Sequence, residues 1–247
     1  VIAAAGNSFT GIADQCLLKF DGSSSQTAAW YRMLKDRNSH AASLSLHEKL
    51  LARDDPRDAK YFIPNPEGDG SLVFAENGSS VDIASLYGIS GLSVAKAPTY
   101  IFSYHELEFI KAEAYVRLGG AANLALAKTA LKKAITAAFQ KPNVGLKAAD
   151  ADAYFTDRVE ALFDADPISE VMNQKYIAFY EEEALEAYSD YRRLEAMGDD
   201  VIELKNPYNK TVGFPQRFTY GSSDVTTNPN VATAYGNGAY VYTEKVW

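Results

Sequence analysis

Residues Pro98 to Gly119, PTYIFSYHELEFIKAEAYVRLG, constrain the fold more than any other stretch of the chain. Placed on a helix at about 100° per residue, their apolar side chains do not form a single stripe. Ile101, Phe109, Ala112 and Val116 cover one side, and Tyr104, Leu107, Ala114 and Leu118 cover most of another. Glu106, Glu113 and Arg117 crowd into a narrow polar strip, where Glu113 and Arg117 make a favourable i,i+4 pair. A helix with so little polar surface has to be packed on several sides by other helices. Glu108 and Lys111 fall inside the apolar majority. They are expected to be partly buried and satisfied by each other or by a neighbouring helix, because an unpaired buried charge is costly.

The flanks suggest a helical hairpin. Pro98 suits a first helical turn, where no backbone donor is missed. Gly119-Gly120 ends the helix, since glycine accepts the left-handed conformation of a C-terminal cap. Asn123 is read as the cap of a second helix, Leu124 to Gln140, whose many alanines favour helix and close approach. Pro142-Asn143 stops it. The pair, spanning 98–141, looks like a tetratricopeptide-type hairpin.

Around the hairpin, Ser8 to Phe20 reads as a short helix, or a helix then a turn, and Thr27 to Asn38 as a helix. Ser43 to Ala52 also reads as a helix, with Leu44, Leu46, Leu50 and Leu51 inward. Residues 64–98, punctuated by glycines, are the least regular part, open to reading as a binding surface or as a covering loop. Ala151 to Phe163 is helical, with Tyr154, Phe155, Val159 and Leu162 on one side. Asp166-Pro167 supplies an N-cap and first position for the longest helix, 167–197. Its inward stripe is Met172, Tyr176, Tyr180, Ala184, Ala187, Tyr191 and Leu194, and Gly198 ends it. Residues 198–247 read as loop and short strand. The expected fold is mainly α: tetratricopeptide-like hairpins, a loop-rich irregular region and few short strands, in one domain over 1–247.

Composition narrows the function. With 247 residues and 47% hydrophobic content, the chain can bury a substantial core. A formal charge of −8 argues against nucleic acid, whose binders cluster Lys and Arg. No run is apolar for the length of a membrane span. The single cysteine, Cys16, lies on an apolar segment and reads as a buried thiol.

Nothing assembles an active site. Glu181-Glu182-Glu183 point around a helix rather than together, and read as a solvated face. His47-Glu48 lacks the second histidine of a zinc-protease helix. His40, His47 and His105 share no ligand spacing, and His105 reads as a satisfied core histidine. Asp69 in Glu67-Gly68-Asp69-Gly70 could meet a calcium ion, without the other positions of an EF-hand loop. No nucleophile, base and orienting group come together. The chain is therefore read as a binding protein and not an enzyme, with no cofactor beyond a possible structural calcium.

Four segments together resemble the SusD/RagB family of Bacteroidetes nutrient-binding lipoproteins. They are Asp55-Pro56-Arg57-Asp58 with Tyr61-Phe62; Glu106-Leu107 through Lys111-Ala112-Glu113-Ala114-Tyr115 to Arg117-Leu118-Gly119; Asn173-Gln174-Lys175-Tyr176 through Glu186-Ala187-Tyr188 to Asp190-Tyr191-Arg192-Arg193; and Phe214-Pro215-Gln216-Arg217-Phe218 with Asn228-Pro229-Asn230-Val231. The resemblance implies a surface-exposed protein, lipid-anchored in the outer membrane in its full-length form. It implies capture of an oligosaccharide, or in some branches a peptide, over a SusC-like TonB-dependent transporter. Because Val1 is no natural start, a C-terminal portion lacking the anchor is expected. The shared motifs look structural, with the arginines pairing carboxylates or capping carbonyls. A helical-repeat adaptor that binds only protein is the reading from another class.

Ligand candidates follow from chemistry. Sugar faces stack on flat aromatics, while amides and carboxylates bond the hydroxyl rim. Trp30, Tyr31, Tyr61 and Tyr87 lie in or beside the irregular segments, with Asn77 and Asp82 as polar partners.

Overall fold

The computed structural model describes residues 1–37, 40–79, 84–205 and 215–244. The described chain is mainly α-helical, with two small two-stranded sheets. Its contacts divide it into two units, Val1–Ala75 with Val81–Leu204, and Glu76–Ser80 with Lys205–Trp247, where the sequence suggests one domain.

In the first unit, a single turn α1 (Ile2–Ala5) precedes a strand, β1 (Cys16–Leu18). The helix expected over 8–20 is absent; turns lead into β1 instead. Cys16 is exposed on that strand, so the buried-thiol reading is corrected. Helices α2 (Ala29–Arg37) and α3 (Leu44–Leu51) fall where expected. Ser43 caps α3, its hydroxyl accepting from the Leu46 amide. Leu46 and Leu50 are buried, whereas Leu51 is exposed, against expectation. One further turn, α4 (Asp58–Tyr61), runs into β2 (Phe62–Ile63), which pairs antiparallel with β3 (Ile89–Ser90).

Irregular residues between β2 and β3 are stitched down by backbone bonds, Ala75 to Ala42 and Gly88 to Val73, and Gly91 just after β3 donates to Tyr61. Gly91 sits so close that a Cβ there would meet the Lys60 carbonyl oxygen. Leu92 and Phe62 bury against Leu46, Leu50, Tyr61, Val144 and Ile177 in a satellite core. This part of the loop region is a covering layer.

The organising helix begins later than its periodicity suggests. Thr99–Phe102 form strand β4, paired antiparallel with β1. The β-branched and aromatic run Thr-Tyr-Ile-Phe suits a strand, and alternation there buries Tyr100 and leaves Ile101 71% exposed. Ser103 then caps α5 (Tyr104–Leu118), its Oγ accepting from the Glu106 amide at 3.0 Å. Ser-Tyr-His-Glu carries the sequence spacing of a capping box, so the true start had a readable signal. The helix is crowded as expected: His105, Glu106, Leu107, Glu108, Phe109, Ala112 and Glu113 are all buried.

Gly119 and Gly120, both at positive φ, turn the chain into α6 (Ala121–Phe139). Asn123 lies inside α6 rather than capping it, and its Nδ2 donates back to the Gly119 carbonyl at 2.8 Å. Ala112 of α5 and Ala127, Ala130 and Ala134 of α6 are buried in the main core, where small side chains let the helices approach. Next, α7 (Ala148–Tyr154), a π-turn (Phe155–Val159) and α8 (Glu160–Ala165) run as one interrupted helix. Phe163, rather than the half-exposed Leu162, completes its buried side.

Asp166 and Pro167 open α9 (Pro167–Ala178) as the sequence suggests, Asp166 accepting from the Ser169 amide. The expected helix to Met197 is broken, however. It stops at Ala178 and restarts as α10 (Ala184–Met197), and Glu181 between them adopts φ 67°. Gly198 caps α10 in the left-handed conformation. The described residues of the second unit contain three short helices, α11 (Ser222–Thr227), α12 (Pro229–Tyr235) and α13 (Tyr240–Thr243), where loop and strand are expected. Among the described residues no helix is long and apolar enough to cross a membrane.

The start of α5 is testable by urea unfolding. Ser103→Ala should lose about 1–2 kcal/mol. Ile101→Ser should change stability by less than about 0.5 kcal/mol, whereas a helix starting at Pro98 would make Ile101 the more damaging site.

Candidate ligand-binding surface

The family-type motifs converge into buried polar clusters. Arg57, fully buried, donates from its guanidinium to both Asp55 carboxylate oxygens and to Gln174 Oε1. It lies over the Phe139 ring at 5.0 Å. Gln174 in turn donates to Tyr154 Oη at 2.8 Å and Glu170 Oε1 at 2.7 Å. Arg53 reaches the same Glu170 at 3.0 Å. The first and third segments are thus one cluster joining the α3–α4 turn to α9 and α7.

The α9–α10 break holds a second cluster. Glu181 accepts from Ser93 Oγ at 2.6 Å. Glu182 pairs with Lys141 Nζ at 2.6 Å and accepts from Asn143 Nδ2. Glu183 Oε2 lies 2.5 Å from His105 Nε2. The side chains of Lys141, Glu182, Glu183 and His105 are each 3% exposed or less. The solvated-face reading of these three glutamates is therefore wrong. His105 is a satisfied core histidine, as expected. Burial works to raise the Glu183 carboxyl, but His105, Lys141 and Ser103 together outweigh it and lower the pKa. Burial raises the Glu181 carboxyl.

A third cluster joins α5 to α10. Arg193 grips Glu113 through two parallel bonds, 2.7 and 2.8 Å, and Arg117 donates to Glu113 and to Asp199 at 2.8 Å each. Bonds from these two arginines lower the Glu113 carboxyl against its burial. Lys175 meets Asp190 at 2.6 Å, and Lys111 meets Glu108 at 2.6 Å. The expected pairs Glu113–Arg117 and Glu108–Lys111 are both present. Glu106 differs: burial first, then Glu183 and Glu186, push its carboxyl up to about 7, against the pull of Lys175.

The surface aromatics are dispersed. Trp30 on α2 is 39% exposed and meets His40 edge-on. Tyr31 and Tyr87 are half-buried. Tyr61 is fully buried, donates to the Ile177 carbonyl at 3.0 Å and stacks on Tyr180. It cannot meet a ligand face, and that expectation is corrected. Asn77 is half-buried and belongs to the second unit. Asp82 lies outside the described residues, as does Phe214 of the fourth motif. Among the described residues, no ring contact joins Trp30, Tyr31, Tyr61 and Tyr87 to one another. A groove of about 470 Å³ runs beside α2, lined by Ala29, Arg32, Met33 and Asp36 rather than Trp30 or Tyr31. Another, about 520 Å³, lies between α6 and the π-turn, where Lys128 pairs with Glu160 and Asp164. Asp69 closes its own turn, accepting from the Ser71 amide and hydroxyl.

In the second unit, the Arg217 guanidinium lies over three tyrosine rings: Tyr220 and Tyr240 at 5.2 Å and Tyr235 at 5.8 Å. Beside it, Phe218 is 92% exposed. The sequence showed the Pro-Gln-Arg-Phe motif and the tyrosine density, but no periodicity to bring them together.

Residues 1–221 match the model of a SusD-like family described as starch-binding and associating with the outer membrane. The chain belongs to the SusD-like family. This SusD-like chain is 38% identical to a SusD/RagB family protein from Bacteroides thetaiotaomicron, with a TM-score of 0.82 over 100% of this chain and 57% of that one. A chitin-binding protein is similar at 22% identity and TM-score 0.68, again over 100% and 57%. A chitin-binding SusD homolog from Flavobacterium johnsoniae is similar at 18% and 0.63, over 93% and 52%; these two likenesses show the fold. The SusD-like chain therefore spans somewhat over half the length of these relatives. No curated protein matches it.

Two measurements test the clusters. Arg57→Met should lower unfolding free energy by about 3–5 kcal/mol, because Asp55 is left charged and buried. For Glu106, the folded pKa of about 7 lies above the usual 4.5. The folded state therefore holds the proton more tightly, and this contribution is complete below pH 4.5 and lost as pH rises through 7. Thermal melts of Glu106→Gln should remove that pH-dependent loss, so the variant gains on wild type between pH 5 and 8.

Proposed function

We propose that this chain is part of a non-catalytic, surface-exposed nutrient-binding protein of the outer membrane. It captures oligosaccharides for uptake through a SusC-like TonB-dependent transporter, and in its full-length form it is held to the membrane by lipid. The observation that carries this reading is the match of residues 1–221 to a family described as starch-binding and associating with the outer membrane. Two structural neighbours being chitin-binding supports a glycan as cargo.

The geometry is consistent with binding rather than turnover. The three consecutive carboxylates, Glu181, Glu182 and Glu183, are committed to Ser93, Lys141 and His105. A general acid or base needs an open path to substrate, and these groups hold helices together. Of the candidates on the first unit, Trp30 retains the most accessible ring for sugar stacking, with Tyr31 and Tyr87 half-exposed beside their own segments.

Calorimetric titration with maltoheptaose, chitohexaose and a panel of short peptides tests the reading. Saturable binding of one glycan class and no peptide is expected. Peptide binding without glycan binding would transfer the same scaffold to peptide capture. Tyr61→Phe should cost about 1 kcal/mol of stability through its lost hydrogen bond while leaving glycan affinity unchanged.

A further inference from the structure

The second unit presents one feature that its own packing leaves unused. Phe218 is the most exposed large apolar side chain of the described protein, at 92%. An aromatic ring alone at a surface is unremarkable when its backbone is free to move. Phe218 is different because both flanks are tied to α13. The Gln216 amide donates to the Val241 carbonyl at 2.7 Å, and the Tyr220 amide donates to Tyr240 Oη at 2.6 Å. Between these two ties, Arg217 turns inward. Its guanidinium sits over three tyrosine rings, themselves packed at centroid distances of 4.7, 5.0 and 5.8 Å, and Glu244 lies 3.9 Å away. With residue 217 held inward in a bend, the side chain of Phe218 stands out in solvent.

The surroundings are polar. Thr219, Ser222, Ser223 and Asp224 follow within six residues and are exposed. The Asp224 carboxylate and Ser223 hydroxyl fold back over Gly221. Apart from Phe218, the described part of this unit exposes no large apolar side chain beyond a partly covered Tyr242. A protein-docking hot spot sits in a well-packed patch whose neighbouring contacts exclude water, and Phe218 stands alone. A single flat ring followed in sequence by exposed hydroxyl- and carboxylate-bearing residues has no such patch around it. It matches a pyranose, whose C–H face is apolar and whose edge is a ring of hydroxyls.

We infer that Phe218 is a stacking platform for a sugar ring, its backbone held by the Arg217–tyrosine cluster and its two ties to α13. The inference rests on the glycan-capture reading and names a site for it. Because the loop is tied before any ligand arrives, little ordering opposes binding.

The test uses the full chain and titrates maltoheptaose and chitohexaose against wild type, Phe218→Ala and Phe218→Trp. Phe218→Ala should weaken the sugar that wild type binds by about tenfold, the size of one aromatic stacking contact. Phe218→Trp should hold or improve affinity and show sugar-dependent quenching of the new indole. Melting temperatures should stay within about 1 °C of wild type, as the ring buries almost nothing. Wild-type binding that survives Phe218→Ala unchanged overturns the platform and leaves glycan capture standing. No sugar binding by wild type overturns both.

Discussion

Pairing of buried carboxylates with cations and donors from distant segments is the constraint on which the first unit depends. At the α9–α10 break, three consecutive glutamates reach three different places: the covering loop at Ser93, the end of α6 at Lys141 and the start of α5 at His105. Glu181 adopts φ 67° without the freedom of glycine, a conformation that costs about 1 kcal/mol or more unless its surroundings enforce it. The enforcement is visible. A continuous helix would spread the three carboxylates around its axis, and at most one or two could meet these partners. Leaving Lys141 or His105 without its carboxylate would cost more than the broken helix does.

The same logic extends outward. Asp55–Arg57–Gln174 ties the satellite core beneath the loops to the main helical core, and Glu113–Arg193 ties α5 to α10. The charged residues of the first three segments shared with the SusD/RagB pattern are therefore frame, in agreement with the structural role expected of the arginines. Such a frame lets loops differ in sequence while the elements that carry them stay in register. In the second unit the corresponding device is Arg217 among tyrosines, where a cation meets π-faces in addition to a carboxylate.

The sequence was legible where the signal was local. The Gly119-Gly120 turn, the Asp166-Pro167 start, the Gly198 stop and the Glu108–Lys111 pair all follow from rules acting over a few residues. Errors arose where tertiary contacts decided the outcome. Residues 99–102 fit a helical period, yet pairing with β1 makes them a strand. Ala178 to Glu183 contain no glycine or proline, so nothing local announces the break. Tyr61 lies beside an irregular segment and looked available to a ligand, but its hydroxyl is spent on the Ile177 carbonyl in the core. Phe218 is part of a sequence motif, while its exposure depends on how its neighbours fold inward.

The most direct measurement of the central claim is a double-mutant cycle on Lys141 and Glu182, read by equilibrium urea unfolding. Glu182→Gln alone is predicted to lose about 3 kcal/mol or more, because Lys141 stays buried and unpaired. Adding Lys141→Met should restore most of that loss, giving a strongly non-additive cycle. A single substitution within about 0.5 kcal/mol of wild type, or additive losses in the double variant, would contradict the view that buried charge pairing sets the helix break and holds the frame.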